Sequence, residues 1–222
     1  MAVATQLYIP IKGVEYFLVP EVSQRGKNLF ETARYAHDNG LVVLPSQDIN
    51  RVARTVRPER PSKEFVSYAR ERTDLTDKDA VDAYRKLHED IWQKYWIRAR
   101  EVLIWTPTKS EFDHPTIVTE GSDSKSYMMT DYKVDPKEDK FESAPPVPVN
   151  WMRQTGTITP EMAQLLGADD NTYVWTSPDP KLYDGLRALG WDFRSPEWPG
   201  LYSDFEPRDR NSYWGSLLGR KQ

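Results

Sequence analysis

Residues 76–103, TDKDAVDAYRKLHEDIWQKYWIRAREVL, decide the fold that the sequence predicts. Thr76 is a typical helix N-cap, and Asp77 and Asp79 place negative charge at the positive end of a helix dipole. Two apolar stripes follow at helical spacing. The first comprises Ala80, Tyr84, Leu87, Ile91, Tyr95 and Val102, and the second comprises His88, Trp92, Trp96, Ala99 and Leu103. The pattern predicts one long helix over about 77–103, lying at the centre of the core or partly at an interface.

A β-hairpin is predicted at the N-terminal side of this segment. Residues 7–11 and 14–19 are β-branched and aromatic runs, and Lys12-Gly13 separates them as a two-residue turn. Pro10 has no backbone donor, so the first strand is expected at a sheet edge. Residues 41–44 form a short apolar run that predicts a further, buried strand.

Capping residues predict where several shorter helices begin and end. The predicted helix starts are Asn28, Ser46, Ser62, Thr159 and Asp179. Asn39-Gly40 and Gly167 are stop signals, while Leu182, Leu186 and Leu189 would share one face of the last helix. The segment in between, residues 106–157, contains six prolines and few apolar runs, which is typical of an irregular functional or linking connection, or of strands that the pattern does not reveal.

These elements predict an α+β protein: a small antiparallel or mixed sheet packed on a long central helix. A proline-rich connection then leads to a small helical, aromatic-rich C-terminal region. The corresponding division is 1–105 for the α+β core, 106–157 for the connection and 158–222 for the C-terminal subdomain.

The composition restricts the chemistry that the chain can perform. With no cysteine among 222 residues, disulfides, thiolate nucleophiles, cysteine-ligated zinc and iron–sulfur clusters are excluded. The N-terminus has neither a basic segment nor an apolar segment of a secretory signal, and no apolar run is long enough for a membrane helix. The sequence therefore predicts a soluble, cytoplasmic protein without a membrane partner.

A strip of arginines is the strongest local charge pattern. Arg51, Arg54, Arg57 and Arg60 recur every third residue, and the segment 51–72 carries seven basic and three acidic residues. One interpretation is a binding site for an anionic partner such as nucleic acid. The alternative, which we favour, is a solvated helix end that pairs with acidic residues of segment 111–142, where nine acidic residues accompany four basic ones.

The aromatic residues near the C-terminus are candidates for an interface. Tryptophan and tyrosine anchor many protein interfaces, and this part of the chain has no regular amphipathic pattern that would bury them. The candidate interface residues are Trp191, Trp198, Tyr202, Tyr213 and Trp214. Burial in the core and exposure at an interface are equally compatible with the sequence.

Catalytic and metal-binding patterns are weak. His37 and His88 lie on predicted helices, and only His114, in a predicted loop, is a candidate for chemistry. We expect no metal site and no cofactor, and whether the chain is an enzyme stays open. Leu44-Pro45-Ser46 is similar to the Leu-Pro-Ser/Thr turn of C-type-lectin-like and formylglycine-generating-enzyme-like domains. The residues that follow depart from those families, so no family is assigned.

The leading functional hypothesis is a non-enzymatic interaction or assembly protein, for example a component of a viral or other multi-protein particle, binding a protein partner or a second copy. One alternative is a nucleic-acid-associated protein that uses the Arg51–Arg60 strip. Another is a carboxylate-dependent enzyme acting on a carbohydrate-like substrate, in which the fold would bring two acidic residues together.

Overall fold

The structure is a computed structural model that describes residues 7–106, 125–129, 132–135, 137–143, 147–149, 152–154, 157–169, 172–176, 186–195 and 199–221. The helices in these ranges are α1 (Leu29–Asp38), α2 (Ser46–Thr55), α3 (Lys63–Arg72), α4 (Asp77–Glu89) and α5 (Pro160–Leu166). Among the described residues, no helix combines the length and the apolar character that crossing a bilayer requires.

Fifteen strands accompany these helices in the described ranges. They are β1 (Ile9–Pro10), β2 (Tyr16–Leu18), β3 (Val42–Val43), β4 (Trp96–Thr106), β5 (Lys125–Met129), β6 (Tyr132–Val134), β7 (Phe141–Ser143), β8 (Val147–Val149), β9 (Met152–Gln154), β10 (Thr157–Ile158), β11 (Tyr173–Thr176), β12 (Leu186–Asp192), β13 (Gly200–Phe205), β14 (Trp214–Ser216) and β15 (Leu218–Lys221). The combination of helices and strands confirms the predicted α+β class.

Two sheets organise these strands, and two further pairs, β6–β7 and β9–β10, are separate. The large sheet has the order β11-β13-β12-β4-β5-β8, and β14 pairs in parallel with the start of β4. The small sheet has the order β1-β2-β15-β3. The small sheet therefore joins strands from the two ends of the sequence, whereas the strands of the large sheet all come from residues 96–216.

The prediction of one long helix over 77–103 is wrong beyond Glu89, where α4 ends. A single π-helical turn, Asp90–Lys94, follows α4, and the Tyr95 N–H donates to the Asp90 carbonyl at 2.9 Å. The chain then becomes β4, the longest strand in the described residues. Because β4 lies between neighbours in the sheet and is buried on both faces from Ile97 to Leu103, apart from the half-buried Arg100, it lacks the alternation of a half-buried strand.

The C-terminal region is mostly β rather than helical. Leu186 and Leu189, predicted to lie on a helix that begins at Asp179 and stops at Gly190, belong instead to β12 (Leu186–Asp192), while Asp179 itself lies outside the described residues. Within the described part of 158–222, α5 is accompanied by five strands. The local leucine spacing favoured a helix, but pairing of β12 with β4 and β13 on its two sides determines the structure.

Most of the predicted helix and turn signals are confirmed. Asn28 and Thr76 each form a reciprocal capping box, and Ser62 and Thr159 accept hydrogen bonds as N-caps. The helix predicted to begin with Ser46 as N-cap instead has Pro45 as its cap and Ser46 as its first residue. At the N-terminus, β1 and β2 form the predicted hairpin, and Gly13 adopts the expected positive φ of 82°.

One buried apolar cluster connects the helices to the sheets. It includes Val52 of α2, Leu87 of α4, Leu103 of β4 and Trp191 of β12. In addition, the Arg100 N–H of β4 donates to the Leu44 carbonyl, just before α2, at 3.1 Å. The 1–105 and 158–222 segments thus share a core, whereas the proposed domain boundaries stay a prediction.

Candidate functional site: a polar cavity beside a braced loop

A cavity of about 550 Å³ lies beside the loop that joins β2 to α1. Its apolar lining includes the buried residues Val19, Val22 and Leu218, and its polar lining includes Arg25 and Lys27. We call it the first cavity, and we call residues 20–28 the 20–28 loop. The volume falls in the range of natural ligand pockets, roughly 300–1,000 Å³. The site therefore combines apolar and charged surfaces in a space large enough for a side chain or a small ligand.

The backbone of the 20–28 loop has an uncommon conformation. Gln24 has a φ of 57°, and in the described residues it is the one non-glycine residue with positive φ. Gly26 also has a positive φ, of 69°, and the Lys27 N–H closes the turn on the Gln24 carbonyl at 3.3 Å. A glutamine in this region costs about 1–2 kcal/mol, so surrounding contacts must hold it there.

The first of these contacts comes from Asp90, which has no exposed surface. One carboxylate oxygen of Asp90 accepts a hydrogen bond from the Val22 N–H at 3.0 Å. The other accepts from the Lys86 ammonium at 2.9 Å, one helical turn earlier. The π-helical turn places Asp90 at the end of α4, where its side chain can fix the start of the loop.

The second contact comes from Arg98 on β4, whose side chain is also buried. Its guanidinium donates to the Lys27 carbonyl at 2.7 Å and to the Asp209 carbonyl at 3.3 Å. The same group lies 5.6 Å from the ring centre of Trp214, within range of a cation–π contact. Arg98 therefore joins the end of the 20–28 loop to the C-terminal part of the chain.

Asp90 and Arg98, which we call the loop anchors, set the loop in one conformation. Burying a charge is unfavourable unless hydrogen bonds or an opposite charge compensate for it. Each anchor forms one of its compensating hydrogen bonds with the backbone of the 20–28 loop, Asp90 with the Val22 N–H and Arg98 with the Lys27 carbonyl. Since strained or braced loops concentrate at functional sites, the cavity beside this loop is the best candidate site in the described residues.

Two exposed tyrosines lie at or beside the first cavity. Tyr35 of α1 lines it and is 39% exposed. Tyr213 follows Ser212, which also lines the cavity, and is 62% exposed. The Tyr213 N–H donates to the Asn211 side chain at 2.9 Å, which orders this turn. Tyr213 is thus the one residue of the predicted aromatic interface that is strongly exposed among those described.

The other predicted interface residues occupy different positions. Trp191 and Trp214 are fully buried, so of the two positions that the sequence left open for them, core and interface, the structure shows the core. Trp191 donates to the Ser46 hydroxyl at 2.7 Å, and Trp214 lies edge-on to Trp96, with ring centres 5.0 Å apart. Their strands pair with β4 or its neighbours, which places both rings inside the protein.

Two further members of that set are half-buried or outside the described residues. Tyr202 is half-buried and stacks on Trp96 at a ring-centre distance of 5.1 Å and an angle of 17°. Trp198 lies outside the described residues.

The arginine strip makes several contacts within the chain. Arg51 pairs with Asp48 at 3.3 Å, and Arg54 pairs with Asp169 at 3.1 Å. The Arg57 guanidinium lies 5.6 Å from the ring centre of Trp92, and Arg60 is exposed. Asp48 and Asp169 lie outside the acidic 111–142 segment in which we expected the partners. The strip's role in binding an anionic partner stays a prediction.

The candidate histidines are dispersed. His37 is exposed beside Asp38, and the His88 Nδ1 lies 2.8 Å from the Val56 carbonyl. His114 lies outside the described residues. In the parts of the chain that the structure describes, three or more potential metal ligands do not cluster anywhere.

A buried carboxylate forms a second polar centre, at the junction of β4, α2, α5 and β12. Both Glu101 oxygens lie 2.9 Å from the Ser46 N–H at the start of α2. The Ser46 hydroxyl accepts from Trp191 and donates to the Leu166 carbonyl at 3.2 Å. Burial raises the pKa of Glu101 from its ordinary 4.5 to about 7. We call this group the Glu101 junction.

Sequence reasoning did not find the first cavity or the loop anchors. Arg98 interrupts an apolar run, between Ile97 and Ala99, whereas Asp90 follows Glu89 and precedes Ile91. A charged residue inside such a run is a signal of a buried polar contact, but the sequence does not specify the partner. No family model, no curated protein and no solved structure matches this chain.

Proposed function

We propose that this chain is a non-enzymatic protein-interaction protein, and that its contact face is the first cavity with Tyr35 and Tyr213. One observation carries the proposal. Two exposed tyrosines adjoin a cavity whose loop wall is braced by two buried charged side chains.

The chemistry of this face supports binding rather than packing. Tyrosine and arginine are enriched among the residues that dominate interface energetics, and Tyr35, Tyr213 and Arg25 are all exposed here. Arg25 is held by Tyr95, since its guanidinium donates to the phenol oxygen and lies 5.0 Å from the ring centre. Side chains that are ordered before binding lose less entropy when a partner arrives.

Site-specific photo-crosslinking tests this proposal. A photoreactive phenylalanine analogue replaces Tyr35 or Tyr213 in the full chain, produced in cells of its natural source. Leu165 on α5 is a matched control position because it is also a large apolar side chain, 43% exposed, and does not line the first cavity. We expect a discrete crosslinked product from both tyrosine positions and none of the same mass from Leu165.

A cavity-filling variant makes the test specific. Ser212→Trp should abolish the crosslink from Tyr35, while Ser67→Trp on the exposed surface of α3 should leave it intact. A product with twice the mass of the chain, formed also by purified protein, identifies a second copy as the partner. Equal crosslinking from Leu165, or persistence of the product in Ser212→Trp, would contradict the proposal.

A further inference from the structure

A second cavity, of about 420 Å³, lies between the small sheet and the turn that joins α3 to α4. It shares no lining residue with the first cavity. Its apolar lining includes Leu7, Phe17 and Leu75, and Leu7 is one of the exposed large apolar residues of the described chain. The volume and the apolar lining suit one large side chain of a ligand.

A preordered arginine lies at this cavity. The Arg220 guanidinium of β15 stacks on Tyr8, 4.9 Å from the ring centre, and both residues line the cavity. Within the described residues, no carboxylate forms a salt bridge with Arg220. A guanidinium presents paired donors that match a carboxylate, and stacking limits the conformations that it must lose on binding.

The α3–α4 segment contributes charges of both signs to the same cavity, from Arg72, Asp74 and Asp79. The Arg72 guanidinium lies 5.8 Å from the ring centre of Tyr68. Asp79 is engaged by the helix cap, since one of its oxygens accepts from the Thr76 hydroxyl at 2.6 Å and from the Thr76 N–H at 3.2 Å. Asp74 is exposed and makes no ion pair within the described residues. A ligand with one carboxylate is therefore attracted at Arg220, and a second carboxylate close to Asp74 is repelled.

We propose that the second cavity binds the C-terminal residue of a protein partner. The apolar side chain of that residue packs against Leu7, Phe17 and Leu75, and its terminal carboxylate pairs with Arg220. The residue before it is neutral or basic, because an acidic side chain would face Asp74. This site is independent of the first cavity and adds a recognition mode for a free chain terminus.

The test uses fluorescently labelled peptides and the full chain. The probe is Gly-Ser-Gly-Lys-Phe with a free C-terminal carboxylate, and the control is the same peptide as its C-terminal amide. Variants with leucine, valine or tryptophan at the last position complete the panel. By fluorescence anisotropy we expect at least one free acid to bind, and its amide to bind about tenfold more weakly.

Substitutions in the protein separate the carboxylate contact from a general charge effect. Arg220→Gln should weaken the free acid by about tenfold, and Arg220→Lys should recover part of this loss because it keeps the charge without the fork. Arg208→Gln, at another exposed arginine, is the matched control and should change nothing. Circular dichroism spectra establish that each variant is folded.

Charge reversal at Asp74, which lines the same cavity, gives an independent readout. Asp74→Lys should allow a peptide with glutamate before the terminal phenylalanine to bind several-fold more tightly than it binds the native chain. The proposal is overturned if acid and amide bind equally, if Arg220→Gln leaves binding unchanged, or if no peptide of the panel binds at about 1 mM.

Discussion

The loop anchors and the Glu101 junction contain buried ionisable side chains that lie a few residues apart along the chain. The hydrogen-bond and ion-pair partners of these side chains differ. Asp90 faces both a backbone N–H and the Lys86 ammonium, and Arg98 donates to two carbonyl groups. The two carboxylate oxygens of Glu101 both accept from the Ser46 N–H, and burial raises the pKa of Glu101 to about 7. Depth of burial alone therefore does not determine how an ionisable group affects stability. The hydrogen-bond partners and the ions that contact the group determine it.

The largest effect is expected when an anchor is removed. Arg98→Met keeps the apolar stem but leaves the Lys27 and Asp209 carbonyls without their charged donor. We expect the free energy of unfolding to fall by about 3–5 kcal/mol, measured by urea denaturation. Arg210→Met is the control, since Arg210 forms an exposed ion pair with Glu31 at 2.9 Å and should cost less than about 1 kcal/mol. A similar small loss in both variants would contradict the anchoring role of Arg98.

The Glu101 junction should make stability depend on pH. The folded state holds the Glu101 proton up to about pH 7, whereas the unfolded chain releases it near 4.5. The folded state therefore binds more protons at this group in that window, so the contribution of Glu101 to stability is full below about pH 4.5 and is lost as the pH rises to about 7. The difference corresponds to about 3 kcal/mol.

Glu101→Gln tests this contribution directly. Glutamine keeps an oxygen that can accept from Ser46 and does not titrate, so we expect the decline between pH 4.5 and 7 to become shallower by that amount. Urea denaturation at half-unit pH intervals measures it. An unchanged pH profile in Glu101→Gln would assign the decline to other groups.

A smaller effect should distinguish two ion pairs with the same sequence spacing. Lys86 pairs with the buried Asp90 at 2.9 Å, and Lys78 pairs with the exposed Asp82 at 2.7 Å. Lys86→Met should reduce the free energy of unfolding by about 2 kcal/mol, because a buried carboxylate loses its cation. Lys78→Met should cost less than about 0.5 kcal/mol. Equal losses of stability in the two variants, measured by thermal denaturation, would mean that the Lys86 ammonium does not stabilise the buried Asp90 carboxylate more than Lys78 stabilises the exposed Asp82.

The smallest effect concerns the strained backbone that the anchors hold. Gln24→Gly removes the steric cost of a positive φ, so we expect the free energy of unfolding to rise by up to about 1 kcal/mol. The same substitution at Gln164, exposed on α5, should lower it by about 1 kcal/mol because glycine disfavours a helix. Opposite signs of the two changes in urea denaturation support strain at Gln24, and equal signs would argue against it.

Local signals in the sequence predicted the helix starts and the hairpin well. The capping boxes at Asn28 and Thr76 and the turn at Gly13 depend on residues three or fewer positions apart, so they are legible without tertiary structure. The strand β4 was not predicted from the sequence. Arg98 and Glu101 are buried among apolar residues, so the alternation of polar and apolar residues that is typical of a strand is absent. Its content of isoleucine, valine and tryptophan was the available β signal.

The candidate sites were less predictable because they depend on contacts between distant residues. Tyr213, Trp191 and Trp214 were equal candidates for an interface or the core in the sequence. The burial of the two tryptophans follows from strand pairing that no local pattern specifies. Arg220, Leu75 and Phe17 line one cavity although three separate segments supply them. Nothing in their local sequence marks them as neighbours.

The position of β15 has a consequence for synthesis on the ribosome. This strand lies between β2 and β3, where Gly219 pairs with both Leu18 and Val42. The small sheet therefore cannot form completely until residues 218–221 have been translated, about 200 residues after the N-terminal hairpin. Until then the edge of the hairpin that β15 later covers is unpaired, and an unpaired strand edge can pair with other chains.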